Sequence, residues 1–287
     1  MKNPIKLLLS VVVFTFNLSA QAQTKSPKLE NSLLWEVSGN GLSKPSYLYG
    51  TIHMICSADY FLSEKAKKAF EASEKLVLEI NLSDPNEIAE VQKSAMGKEP
   101  LSKSLNPEQL AKLDAILKKS TGMTIQQVDA FSLITVISLI AMKTFDCNDL
   151  KFYEMEFIES AKKRNLGIIG LETAKFQFKA LENAFSNEEI INMLEASDAV
   201  ETKELVAAYK LENLNTLYQN TTAEKVMNAK AQKIMLEERN INWTKILPEM
   251  MKKEPLFVAV GSGHLAGDFG IINLLRKAGY TIKPIMN

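Results

Sequence analysis

Residues 256–264 read Leu-Phe-Val-Ala-Val-Gly-Ser-Gly-His, and residues 47–53 read Tyr-Leu-Tyr-Gly-Thr-Ile-His. Each is a short apolar run that ends at a glycine and delivers a histidine three residues later. Runs of this length and composition are those of buried strands. A helical pattern and a second apolar run follow each histidine. After His53, residues 62–73 carry Ser63 as N-cap with Ala66, Ala69 and Phe70 on one face, and Leu76 to Ile80 then forms a strand bearing Glu79. After His264, residues 268–278 place Ile271, Leu274 and Leu275 on one face. Gly279 stops that helix, and Thr281 to Ile285 is the last strand. The expectation is an α/β fold in which two related β–GxxH–α–β halves form a central sheet. Sites in such sheets gather at the carboxyl ends of strands, where both GxxH segments fall.

Working outward, Leu33 to Val37 pairs naturally with Tyr47 to Ile52 across a Gly/Ser/Pro turn. Between the two halves helical signals dominate. Asn106-Pro107 with Gln109, Thr124 with Gln127, Ser186 with Glu189 and Thr221 with Glu224 each look like a helix start. Only Gly167 to Leu171 interrupts as a strand. A large, mainly helical insertion over approximately residues 100–250 is therefore expected inside a single domain spanning 23–287. The apolar run from Phe131 to Met142 is too short for a bilayer, which needs ~20 residues, and suits a buried core helix.

The N-terminus has the layout of a signal peptide. Lys2 and Lys6 precede an apolar run from Leu7 to Phe16, and Ala20-Gln21-Ala22 fits an A-x-A cleavage site. Residues 1–22 are expected to be removed, leaving Gln23 at the start of a periplasmic or secreted chain without a transmembrane anchor. Two lysines leave with them, so 32 basic residues face 34 acidic ones, near −2. That balance offers no footprint for nucleic acid, and no glycine pattern for a nucleotide is present. The two cysteines, Cys56 and Cys147, suit a disulfide in an oxidising compartment. A rival role for Cys56 is a thiolate metal ligand, since it lies three residues after His53.

The chain has only two histidines, and each has Gly three residues before it. With 12 glycines in 287 residues, coincidence at both positions is rare, roughly 0.002 before other offsets are counted. Gly at a strand end lets the backbone turn sharply or come close to a ligand. The bland alternative is a pair of satisfied structural histidines.

Five blocks in order carry a resemblance: Tyr47–His53, Leu78-Glu79, Gly170-Leu171-Glu172-Thr173, Glu238-Arg239-Asn240 with Trp243, and Val260–His264. Together the sequence resembles the TraB/GumN family, which includes the Tiki proteases, over essentially the whole mature chain. The resemblance implies an α/β fold of two halves with a helical insert. For the Tiki members it also implies divalent-metal-dependent proteolysis centred on the two GxxH motifs and a glutamate, positions that here are His53, His264 and Glu79. Glu172, Arg239 and Asn240 match family positions of less defined role.

Those residue types suit a hydrolytic metal. Two imidazoles and a carboxylate leave open positions for water and substrate, with Mn, Co or Zn as candidate ions. Glu79 or Glu172 would take a proton, and Arg239 would stabilise an oxyanion or orient a carboxylate. The alternatives are structural: an ion pair of Glu79 with Arg239, a helix cap or ion pair for Arg239 and Asn240, and a first-turn helix position for Glu172. Ser262 invites a serine-hydrolase reading, but the elbow glycines expected around it are Val260 and His264. A second class is a non-catalytic protein that holds a peptide, haem or metal. Met193, Met227, Met235, Met250 and Met251 suit plain core more than a peptide groove.

Overall fold

The computed structural model describes residues 28–196 and 199–286. The proposed signal peptide and its cleavage site lie outside the described residues. Six strands form a mixed sheet: β1 (Leu34–Ser38), β2 (Ser46–Thr51), β4 (Lys75–Leu78), β6 (Gly167–Gly170), β7 (Leu256–Gly261) and β8 (Thr281–Pro284). A separate two-stranded ribbon pairs β3 (Met54–Cys56) with β5 (Leu150–Phe152). The sheet order is β6-β4-β7-β2-β1-β8. The first four of these neighbours run parallel, whereas β1 is antiparallel to both β2 and β8.

Strand alternation assigns the two faces. In β7, Leu256, Val258 and Val260 belong to a core with Trp35, Trp243, Leu247 and Ile272. Phe257 and Ala259 belong to the opposite core, with Tyr49, Leu76, Tyr153 and Phe157. All six β7 residues are buried, as expected of a central strand covered on both sides. A third cluster, built from Leu113, Leu117, Val136, Ile140 and Ile191 among others, has no residue of the sheet in it. It absorbs the apolar run that begins at Phe131, now the helix Leu133–Thr144. No helix among the described residues is long and apolar enough to cross a membrane.

Each GxxH unit is a strand–helix–strand crossover, but the crossovers differ in span. From β2 the chain passes through the helix Glu64–Glu71 and returns at β4, with β7 between them. From β7 it passes through the helix Ile271–Lys277 and returns at β8, beyond β2 and β1. The last central strand thus closes between the two strands of the first unit, and three strand ends become neighbours.

The segment between β4 and β7 is mainly helical, interrupted by β5 and β6. Capping boxes start helices at Asn106 and Thr124, and Ser186 and Glu189 bond each other reciprocally. The expected start at Thr221 is wrong. Thr221 ends the helix Leu214–Thr221, and its hydroxyl bonds back to Leu217 O at 2.9 Å rather than capping forward. Glu172 is also not a first-turn residue, because Thr173 is the N-cap of the helix Ala174–Ala184.

Cys56 and Cys147 form a disulfide, with Cα atoms 6.1 Å apart. Cys56 is therefore not a thiolate ligand. The bridge pins the loop before β5 to β3, and Tyr153 N–H then donates to His53 O at 2.9 Å.

Candidate active site

Four adjacent parallel strands end on one edge of the sheet. In spatial order, β6 is followed by Glu172, β4 by Glu79, β7 by the turn bearing His264, and β2 by His53. This is the edge at which such sheets bind ligands.

Both rings converge on one oxygen. His53 Nε2 lies 4.0 Å and His264 Nε2 3.9 Å from Glu79 Oε1. The same oxygen accepts the Gly261 N–H at 2.8 Å. Glu79 Oε2 accepts from Arg239 at 2.6 Å and from Gln177 at 3.0 Å. Burial would raise the Glu79 carboxyl, but His264, the Arg239 guanidinium, His53 and the Gly261 amide hold it well below the usual carboxylate range. Of these, Arg239 is the charge present throughout, since His264 is neutral near pH 7.

The neutrality of His264 follows from its partners. Arg239 Nη1 lies 3.0 Å from Nε2, and a guanidinium only donates, so Nε2 presents its lone pair. Nδ1 then carries the hydrogen and donates to Asn240 Oδ1 at 2.7 Å. Burial and the adjacent Arg239 lower the ring's pKa to about 3. Asn240 is itself fixed by donating to His264 O and Phe269 O, at 3.1 and 2.9 Å. Both ring nitrogens of His264 are thus bonded to side chains other than Ser262.

His53 sits differently. It has a left-handed backbone with φ of 61°, uncommon for a side chain and worth about 1 kcal/mol or more of strain. Its Nδ1 lies 2.8 Å from Glu154 Oε1, an oxygen that Thr51 also donates to at 2.7 Å. Desolvation pulls its pKa down, but the side chain is 57% exposed and the carboxylates of Glu154 and Glu79 win. They push the ring up to about 9.

Arg239 organises the acidic side. It donates from Nε and Nη2 to Glu172 at 2.7 to 3.2 Å, and stacks on Trp243 at 4.7 Å. Trp243 and Gln177 also donate to Glu172, at 3.0 and 3.1 Å. Burial raises the Glu172 pKa, yet four N–H groups aimed at two oxygens suit an ionised carboxylate. A π-helical turn, Lys233–Glu237, precedes Arg239, and its Met235 carbonyl accepts from Nη1 at 2.9 Å. Such turns recur at functional sites.

The two glycines of the motifs serve each other. A Cβ on Gly261 would lie 2.9 Å from His53 Nε2 and 3.3 Å from Glu79 Oε1. A Cβ on Gly50 would lie 3.1 Å from Ser262 Cβ and 3.2 Å from Ser262 Cα. Each GxxH glycine thus makes room for the other motif, a packing role beyond the tight turn expected of it.

The donor set suits a divalent cation. Once a cation displaces the His53 proton, Glu79, Glu154 and Glu172 against Arg239 leave three carboxylates and one guanidinium, a net −2. Among the described residues no group of three His, Cys, Asp or Glu side chains stands at ready metal-holding spacing. His53 and His264, at 4.0 and 3.9 Å from Glu79 Oε1, would hold a cation together with Glu79 only if the three side chains drew closer. Arg239 must also release the His264 lone pair.

Glu154 and Gln177 were not singled out from sequence. Gln177 carried a weak signal, one turn beyond Thr173 on a capped helix. Glu154 carried none, because its partner is 101 residues away.

Comparison with known sequences gives the context for this edge. The pattern of the TraB/PrgY/gumN family matches residues 33–284. The chain is 22% identical to the metalloprotease TIKI1 of Danio rerio, covering 91% of this chain and 65% of that protein. It is also 22% identical to the metalloprotease TIKI1 of Xenopus tropicalis, covering 88% and 61%. A shorter match, 37% identical over 23% of this chain and 13% of the relative, is to the metalloprotease TIKI2 of Danio rerio. The chain thus spans less than two thirds of the length of the TIKI1 relatives.

Proposed function

Because this chain belongs to the TraB/PrgY/gumN family, we propose that it is a metal-dependent hydrolase that cleaves peptide bonds. His53, His264 and Glu79 would hold one divalent cation, of the Mn, Co or Zn kind. The observation that carries the reading is the convergence of both Nε2 atoms on Glu79 Oε1 at 4.0 and 3.9 Å. The metalloprotease relatives support the reaction class.

When bound, such a cation supplies an acidified water and polarises a carbonyl. The protein's own groups do the rest. Asn240 keeps the His264 lone pair at Nε2. Glu79 stays ionised under Arg239 and the Gly261 amide, which suits a ligand better than a proton acceptor, since a carboxylate held this acidic is a weak base. Glu172 holds the guanidinium of Arg239, which would meet a developing negative charge or a substrate carboxylate. Glu172 is so fully bonded that we assign it to anchoring Arg239 rather than to proton transfer. Export belongs to the same proposal, supported by the disulfide and the A-x-A segment.

Incubation of the purified protein with a peptide library, read by mass spectrometry, tests this. Cleavage should stop with EDTA and return with Mn, Co or Zn, and Ser262→Ala should behave as wild type. Chelator-resistant cleavage lost in Ser262→Ala would overturn the metal reading. No cleavage, together with stoichiometric haem or metal binding, would make this a binding protein instead.

A further inference from the structure

We propose that Glu154 is a positioning residue for His53, holding the hydrogen on Nδ1 so that Nε2, which faces Glu79, is the nitrogen left with a lone pair once the ring is neutral. The inference rests on the metal-site reading above and deepens it by naming a residue outside the five sequence blocks. A neutral imidazole has two tautomers, and only one leaves Nε2 as a donor to a cation. A carboxylate only accepts, so an Nδ1 atom 2.8 Å from Glu154 Oε1 is the protonated one.

The carboxylate is itself fixed. Thr51 Oγ1 donates to the same oxygen at 2.7 Å from the end of β2. Glu154 lies in the first turn of the helix Tyr153–Lys163, directly after β5. Its backbone is registered on His53 twice over: Met54 pairs with Phe152 across the ribbon, and Tyr153 N–H donates to His53 O at 2.9 Å. The Cys56–Cys147 bridge closes the same ribbon. The Glu154 side chain is 16% exposed, so the carboxylate is the anchored partner of this bond and the 57% exposed His53 ring the one it holds.

The second histidine supplies an independent parallel. His264 Nδ1 is held at 2.7 Å by Asn240 Oδ1, a side chain from a distant helix. Both GxxH rings therefore have Nδ1 taken by an oxygen from outside their own motif, and both turn Nε2 to Glu79. Side-chain oxygens on the far nitrogen of a ligating histidine set its tautomer and typically contribute about 10–100-fold to metal affinity.

An ion pair that merely steadies a loop makes a different prediction. Glu154→Gln keeps an acceptor oxygen but removes the charge, whereas Glu154→Ala removes both. The test is Co2+ titration of the metal-stripped protein and of both variants, followed by the visible Co2+ spectrum. Imidazole ¹⁵N–¹H spectra of the metal-free proteins at alkaline pH, where the rings are neutral, complete it. Positioning predicts about a 10–100-fold loss of Co2+ affinity in Glu154→Ala and at most a severalfold loss in Glu154→Gln. It also predicts an Nδ1–H ring for His53 in wild type and Glu154→Gln but not in Glu154→Ala, with the thermal midpoint of Glu154→Gln kept. Equal affinity in wild type and Glu154→Ala, or an Nε2–H ring in wild type, would overturn it. If wild type binds no Co2+ while its His53 is Nδ1–H and loses that form in Glu154→Ala, the positioning role stands and the metal reading fails.

Discussion

Gly50 and Gly261 occupy matched places in the two motifs, yet an added methyl group meets different things at each. At Gly261 it meets first the exposed end of the His53 ring, at 2.9 Å, and then the buried Glu79 Oε1, at 3.3 Å. Gly261→Ala should therefore cost less stability than Gly50→Ala, because its closest contact can move, while activity falls at least about tenfold because His53 is displaced. At Gly50 the methyl meets the backbone of Ser262 and the Leu265 side chain, both buried. Gly50→Ala should cost about 1–3 kcal/mol of stability, the usual range for overpacking. Chemical denaturation of the two variants beside a peptide-cleavage assay checks the contrast, and equal stability losses would count against it. The pairing of Glu79 with Arg239 was legible in the sequence as an option. Glu154 was not, since nothing local marks an acidic residue whose partner is brought by the fold.

At the level of elements, sequence signals worked where physics is local. Ser63, Asn106 and Ser186 each accept from an amide of the first turn, and at Thr124 the Gln127 side chain accepts from the cap's own amide, so a reader of spacing can find them. Thr221 failed because its hydroxyl had a competing acceptor one turn back, Leu217 O. The β3–β5 ribbon was invisible, because three-residue strands show no usable alternation and their pairing is set by contacts 91 or more residues apart. This ribbon is nonetheless what carries Glu154 to His53. Removing its bridge with Cys56→Ser and Cys147→Ser together should destabilise the protein by ~2–5 kcal/mol, as expected when a long loop is released. It should also speed hydrogen exchange at the Tyr153 amide. A thermal midpoint indifferent to the bridge would contradict this.

For the whole molecule, the site makes folding stability depend on pH from both sides. The His264 ring titrates at about 3 when folded, against 6.5 for a free ring. The unfolded chain therefore binds the extra proton, and this contribution, on the order of a few kcal/mol, is complete above 6.5 and lost as pH falls towards 3. The depressed Glu79 adds to the same acid limb. His53, raised to about 9, acts oppositely: its contribution is full below 6.5 and lost as pH rises through 9. Urea midpoints of the metal-free protein should thus peak near neutrality. His264→Gln should flatten the acid limb, and His53→Gln the alkaline one.

The central claim is that two motifs 211 residues apart, ending at His53 and His264, build one cation site with Glu79. Equilibrium binding of Mn2+ or Co2+ to the metal-stripped protein, with stoichiometry from calorimetry, tests it most directly. One ion per chain should bind, and His53→Ala, His264→Ala and Glu79→Gln should each weaken it by more than about 100-fold while retaining native circular dichroism. Unchanged affinity in either histidine variant, or no binding by the folded wild-type protein, would contradict the claim.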